Sequence, residues 1–482
     1  MELKDQAATG LKWSGASQAS RQGVQLLTTL MLARLLAPGD FGLLGMAMVI
    51  IGFTMLFRDL GTTAAVIQRK ELSDELLSSV FWLNFSFGVI FTAVIYFAAP
   101  LVAQFYKEPR LIPILRWLAP SFFFASAGML QLTLLERELR FSKLAKIEII
   151  SVCAGSATGI SLALRGYGVY SLVFQSLVNL FLNSVLLWLT TSWRPRLVFR
   201  WWVVKEIGGY SLNLTGFSII NYFARTIDLL LVGRYLGTDA LGYYYFAYRL
   251  MLFPLQNIST MIGRVVFPVY AKLQDYEDRF QRAFLKTSSS VALVTFPLML
   301  GMLAVARPFI NAVRPEWQPV IPLIKLLVPA CMVAAIVSNV ASIYKAKGRT
   351  DWMFRWTLVG APVRIAAIVI GLRWGIVGVA AAYSISFVIL TYPSLAIPFR
   401  LIHLQMGRLV KSISMPLVTS LIMFGVVYFL ELALYGRLRT GVSLAVCIVT
   451  GAVIYGLLNL WLNREQLTEM ITALRTRKDP EG

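Results

Sequence analysis

The chain consists of one stretch after another of about 20 mostly apolar residues, with little polar sequence between them. Each is the length a helix needs to cross the hydrocarbon core of a bilayer, where no water satisfies an open backbone. The stretches fall at about 12–36, 40–65, 77–104, 111–135, 145–164 and 168–190. A second group lies at about 207–233, 239–264, 286–306, 319–344, 353–372 and 375–398, and two more at about 412–433 and 440–462. The expected fold is therefore an all-α integral membrane protein of about 14 transmembrane helices. At 57% hydrophobic and 14% charged, the 482 residues are excluded from an ordinary soluble globule.

The net charge of +21 is a second constraint, because its placement is uneven. With the N-terminus in the cytoplasm, about 27 Lys and Arg fall in cytoplasmic loops and tails and about 10 in the opposite loops. Both termini are expected to be cytoplasmic. The richest of these loops carry Arg137, Arg140, Lys143 and Lys146, then Arg194, Arg196, Arg200 and Lys205, then Lys272, Arg279, Arg282 and Lys286. Orientation and attraction to anionic headgroups explain the excess, so the lipid bilayer is the expected partner and nucleic acid is not. Polar Met1 to Gln6 run into the first span without a small-residue cleavage motif, so that span is expected to be retained. Trp13, Trp193, Trp201, Trp202, Trp352 and Trp374 sit near span ends, where an amphipathic ring anchors at the interface.

Cys153, Cys331 and Cys447 lie far apart inside apolar spans, which suits core packing and not a disulfide framework. With His403 the single histidine, neither a metal site nor a cofactor is expected. No loop is long enough to form a domain, which weighs against a glycosyltransferase, ligase or polymerase.

An internal repeat organises the spans. Arg34-Leu-Leu-Ala-Pro-Gly-Asp-Phe-Gly42 joins the first two, and Arg234-Tyr-Leu-Gly-Thr-Asp-Ala-Leu-Gly242 joins the seventh and eighth, with Arg, Leu and Gly coinciding at an offset of 200. Leu164-Arg-Gly-Tyr-Gly-Val169 and Leu372-Arg-Trp-Gly-Ile-Val377 stand in a similar relation between spans five and six and spans eleven and twelve. Six is even, so the halves are parallel repeats, as in transporters that rock two bundles around a central site. The expected organisation is 1–205 and 206–400 as two six-helix lobes, and 401–482 as helices 13 and 14 with a cytoplasmic tail.

Charged residues inside spans point to function, since each costs about 2.5–3.5 kcal/mol at the bilayer centre on insertion scales. In the first span Ser14, Ser17, Gln18, Arg21, Gln25 and Thr28 recur at helical spacing on one face. The seventh repeats the pattern with Ser211, Ser218, Asn221, Arg225 and Asp228. The eighth carries Tyr245, Arg249, Gln256 and Thr260, and the second Thr54, Arg58 and Thr62. Polar glue between helices would explain the Ser, Thr, Asn and Gln, but several buried cations exceed what packing requires. Asp59 and Asp228 are candidates either for pairing with Arg58 and Arg225 or for binding a coupling ion. The positive surplus favours an anionic substrate, and guanidinium matches phosphate oxygens with two parallel donors. Arg116, Arg264 and Lys325 are near enough to span ends to snorkel, Arg364 is mid-span beside Pro362, and Gly155, Gly159, Gly375 and Gly378 suggest close helix packing.

At this point the chain resembles the polysaccharide flippases of the multidrug/oligosaccharidyl-lipid/polysaccharide exporter superfamily. The resemblance covers nearly the whole chain. It rests on the Ala33 to Gly42 turn, Ile67-Gln-Arg-Lys-Glu71 leading to Phe81-Trp-Leu-Asn84, the basic Glu136 to Phe141 loop and Trp374-Gly-Ile-Val-Gly378. The first two look most like the branch exporting colanic acid or O-antigen repeat units. It implies a V-shaped pair of lobes, alternating access, a bacterial inner membrane, and a substrate of oligosaccharide linked through pyrophosphate to undecaprenol. Arg21, Arg58, Arg225 and Arg249 would then hold the pyrophosphate, with Gln18, Gln25, Asn221 and Gln256 beside them. The last two spans would offer a groove to the polyprenyl tail. Docking of a polysaccharide polymerase and glycosyltransferases on the basic loops is left open. A drug/cation antiporter of the same superfamily would want unpaired acids in the cavity, and an intramembrane polymerase or ligase a large periplasmic loop.

Overall fold

A computed structural model describes residues 2–57, 66, 72–201, 222–223, 225–251 and 269–462, with side chains from residue 18 onward, residue 19 excepted. All of the regular structure among these residues is helical, and ten segments are long and apolar enough to cross a membrane. The all-α membrane architecture expected from hydropathy holds. The chain divides into two compact units, Met1–Gly242 and Tyr243–Gly482.

The first unit begins with α1 (Glu2–Leu35) and α2 (Pro38–Met55). Proline at the first turn of α2 gives up an amide that has no helical partner there anyway, and Asp40 Oδ2 accepts the Ala37 amide at 3.1 Å to close the cap. Helix α3 (Asp74–Tyr106) starts at Ser73, whose Oγ accepts the Leu76 amide at 3.2 Å, and stops at Lys107 in a left-handed conformation with φ 56°. Its 33 residues reach about 50 Å, more than the hydrocarbon core needs.

The fourth expected span is present as one apolar segment, Leu111–Arg137, with two bends. It is α4 (Leu111–Leu118), α5 (Pro120–Ala127) and α6 (Met129–Arg137), separated at Ala119 and Gly128. Pro120 lacks the amide that would continue α4, while Gly128 lies flush on α8, where a Cβ would come within 3.2 Å of the Ser184 backbone. Helices α7 (Phe141–Leu164) and α8 (Val169–Thr190) form a hairpin that turns through Gly166 and Gly168 at φ 80° and 53°. Their contact is backbone-close, as the Gly155/Gly159 spacing suggested: a Cβ at Gly155 would stand 2.7 Å from the Gln175 carbonyl, and one at Gly159 2.9 Å from the Gln175 Cβ.

The basic segment after α8 is strapped across the start of α3. The Arg196 and Arg200 amides donate to Ser78 Oγ and Ser79 Oγ at 3.0 and 2.9 Å, and their guanidinium groups pair with Asp74 and Glu75 at 2.8 and 3.2 Å. Trp82 Nε1 adds a 2.8 Å bond to the Arg196 carbonyl. Helix α9 covers residues 225–251 and turns at Gly237, φ 88°, which is the break expected between the seventh and eighth spans.

The second unit holds α10 (Glu277–Ala304), α11 (Ala306–Val313), α12 (Val320–Val337), α13 (Val340–Ala346), α14 (Thr350–Gly371), α15 (Gly375–Phe399), α16 (Met406–Leu434) and α17 (Thr440–Leu462). Tyr270, Phe280, Phe284, Ile343, Tyr344, Phe399 and Ile402 pack one core at an end of this unit. Of Gly375 and Gly378, Gly378 serves close packing, with the Gly371 carbonyl against it and Gly371 packed as closely in return. Gly375 instead makes the turn at φ 67° with open space around it, a correction to the reading of both as packing residues. Cys153, Cys331 and Cys447 are free thiols, and Cys153 is exposed on α7 where core packing was expected.

Candidate functional site

Helix α1 carries the polar face expected of the first span, is not among the ten segments apolar enough to cross a membrane, and packs along α7. The hydroxyls on such faces are satisfied locally: Thr28 Oγ1 donates to the Val24 carbonyl at 2.7 Å, and on α2 Thr54 Oγ1 to the Ile51 carbonyl at 2.9 Å. Arginine's long side chain carries its guanidinium past the backbone of its own turn, so it takes side-chain partners instead. Arg21 reaches two other partners. Its Nη2 donates to Gln18 Oε1, one turn earlier, and its Nη1 lies 3.5 Å from Glu148 Oε1 on α7.

The two charged side chains are similarly half-buried, 31% exposed for Arg21 and 32% for Glu148. Their separation exceeds the roughly 2.7–3.2 Å of an N–H···O hydrogen bond, so the pair is Coulombic and loose. Arg21 Nε is buried with no hydrogen-bond partner, as is Gln22 Nε2. A guanidinium thus retains an unused donor beside an amide already aligned by its neighbour. That edge is chemically suited to two oxygens of a phosphate or carboxylate.

On α9, Arg225 is exposed, Asp228 is fully buried, and Arg249 is half-buried with Tyr245. Arg225 and Asp228 are both engaged in interactions. Gln25 is half-buried on the face of Arg21. Arg58, Asp59, Asn221 and Gln256 lie outside the described residues, as do Thr62, Ser211, Ser218, Thr260 and Arg264. Ser14 and Ser17 fall where the backbone alone is described.

The two corners related by the offset of 200 meet each other. A Cβ at Gly42 would overlap the Thr238 carbonyl, and one at Gly242 would overlap the Pro38 carbonyl, so each glycine lets the opposite corner's backbone touch its own. Gly39 faces Asp239 in the same contact. Asp40 accepts the amides of Ala37 and Val169, tying the corner to the α7–α8 hairpin. Further along α2, Tyr222 Oη donates to the Val49 carbonyl at 2.7 Å, in space left open by Gly52.

Two residues carry more than the sequence reading gave them. Glu148 was missed because it stands near the start of an apolar span beside Lys146, where an acid reads as interfacial. Its distance of 127 positions from Arg21 gives no periodic signal. Arg364, mid-span beside Pro362, lies 5.3 Å from the Phe387 ring centre, at the end of an aromatic series running Tyr248, Tyr383, Phe387. Arg116 sits over the Tyr96 ring at 5.0 Å, a place for a cation at a helix end.

Many apolar helices of membrane length and a repeated corner define a multi-pass membrane protein. The chain belongs to the family described as "Polysaccharide biosynthesis protein", which it matches over residues 31–322. It is 30% identical to the lipopolysaccharide biosynthesis protein WzxC of Escherichia coli (strain K12) across 91% of this chain and 90% of that one. It is 25% identical to the succinoglycan biosynthesis transport protein ExoT of Rhizobium meliloti (strain 1021), across 97% and 95%. Among solved structures, the lipid II flippase MurJ in an inward closed conformation superposes with a TM-score of 0.75 over 94% of this chain and 99% of that one, at 15% identity. The fold is that of the multidrug/oligosaccharidyl-lipid/polysaccharide exporter superfamily, as the sequence motifs had suggested.

Proposed function

We propose that this protein is a flippase that carries an oligosaccharide repeat unit, linked through pyrophosphate to undecaprenol, from the cytoplasmic to the periplasmic leaflet of a bacterial inner membrane. Both termini are cytoplasmic in this reading. Residues 1–205 and 206–400 act as lobes in alternating access, and 401–482 form the appended helices. The observation that carries it is Arg21: a half-buried cation on α1, loosely paired, with Nε unmatched. Pyrophosphate offers that fork several oxygens and more than one negative charge, in a place where water screens little. Arg58, Arg225 and Arg249 complete the anion site, Gln18, Gln25, Asn221 and Gln256 bond the adjoining sugars, and Asp59 and Asp228 balance the cations or take a coupling ion.

The relatives support the glycan side of this reading, since WzxC and ExoT are named for lipopolysaccharide and succinoglycan biosynthesis, and MurJ for lipid II flipping. Polymerase and glycosyltransferases would meet the carrier at its basic loops. Polysaccharide export restored in a strain lacking its own exporter, and lost with the Arg21→Gln, Arg225→Gln double variant at equal membrane insertion, is the expected outcome. Normal export by the double variant would overturn the assignment of the cations.

A further inference from the structure

We infer that Glu148 is the anion site's built-in competitor: its carboxylate occupies Arg21 when no substrate is bound and must leave for pyrophosphate to enter. The inference rests on the proposed anion-binding role of Arg21 and adds the residue that sets which anions gain entry. Glu148 comes from α7, a different helix from any of the sequence-derived site residues, and its one polar contact among the described residues is with Arg21. At 3.5 Å the pair gains Coulomb attraction without a tight hydrogen bond, while Gln18 also holds the guanidinium and buried Nε stays unbonded. A half-buried cation is costly alone, so the carboxylate stabilises it. It is also positioned to be exchanged.

The consequence is selectivity. The membrane is full of singly charged phosphodiester headgroups, and any of them would be drawn to an unpaired arginine. A phosphodiester that displaces Glu148 trades one single-charge contact for another and gains little. A pyrophosphate brings more charge and a second set of oxygens for Nε, so it displaces the carboxylate at a profit. Glu148 thereby discriminates by charge number without touching the sugar.

The test is binding of inorganic pyrophosphate and of short-chain phosphatidylglycerol to the purified full chain in neutral detergent, for wild type, Glu148→Gln, Glu148→Asp and Arg21→Gln. Removing the competitor should tighten pyrophosphate binding by about 2- to 5-fold, the range expected for releasing a half-exposed ion pair. It should tighten phosphatidylglycerol binding by at least as much, so that the preference for pyrophosphate falls. Glu148→Asp, with its carboxylate drawn back by one methylene, should lie between. Unchanged or weaker binding of both ligands by a folded Glu148→Gln, or by Glu148→Asp should the glutamine variant not fold, overturns the inference. If Arg21→Gln binds pyrophosphate as wild type does, the anion-site reading itself fails. If Arg21→Gln loses binding and removal of the carboxylate has no effect, the competitor alone fails.

Discussion

A half-buried guanidinium needs something to bond, and Arg21 shows how this chain provides it. Gln18 takes one nitrogen, Glu148 stands off another, and Nε is held over. The arrangement depends on the fork shape and not simply on charge. Arg21→Lys should therefore keep insertion but weaken inorganic pyrophosphate binding by about 10-fold or more, as expected for losing a charge-assisted bidentate contact. Isothermal calorimetry on the purified protein checks it, and equal affinity for the lysine variant would show that a point charge suffices. At this scale the sequence disclosed the cation and its stripe, because polar residues at helical spacing stand out against an apolar background. It did not disclose Glu148, because an ion-pair partner on another helix leaves no mark in either helix's own pattern.

Among elements, glycine decides what can touch. Gly155 and Gly159 bring α8 against the α7 backbone, and their four-residue spacing made that contact legible in advance. Gly159→Leu should force the pair apart and lower stability by about 1–3 kcal/mol, the usual cost of overpacking. Thermal unfolding in detergent would report it as a lower midpoint with transport reduced in proportion to folded protein. Gly42 and Gly242 are different: the offset match marked both corners, yet their mutual contact appears only in three dimensions. Gly42→Val places a branched side chain on the Thr238 carbonyl and should hold the corners apart. The expected result is inserted, folded protein that binds inorganic pyrophosphate and fails to transport, measured by binding and flux on the same preparation. Full flux would show that the corner tolerates separation throughout the cycle. The division of the fourth span into α4, α5 and α6 stayed hidden for a related reason, since Pro120 removes one backbone amide and Gly128 bends the helix at φ −92°, ψ −5° without lowering hydropathy.

For the molecule as a whole, the fold class was the most legible property: an apolar stretch of membrane length has few alternatives to a helix, and many in series have few alternatives to a polytopic bundle. The family followed from corner motifs and their order. The substrate is less directly written, because sugar recognition by Gln, Asn and aromatic side chains has no fixed spacing. Energetics at this scale supply a separate prediction. Each negative charge moved outward across an inside-negative membrane gains about 2.3 kcal/mol per 100 mV. Flipping of a lipid pyrophosphate should accordingly speed up when a potassium-diffusion potential is imposed with the inside negative, and slow when it is reversed. A rate indifferent to potential in both directions would mean that the charge is compensated by a co-transported cation, and would direct attention to Asp59 and Asp228.

The most direct measurement is flipping of a fluorescent undecaprenyl-pyrophosphate oligosaccharide in proteoliposomes containing wild type, Arg21→Gln or Arg225→Gln at matched insertion. Wild-type flipping that is lost in both variants is the predicted result. Flipping that persists in both would contradict the central claim, leaving the arginines to pack helices and not to carry the anion.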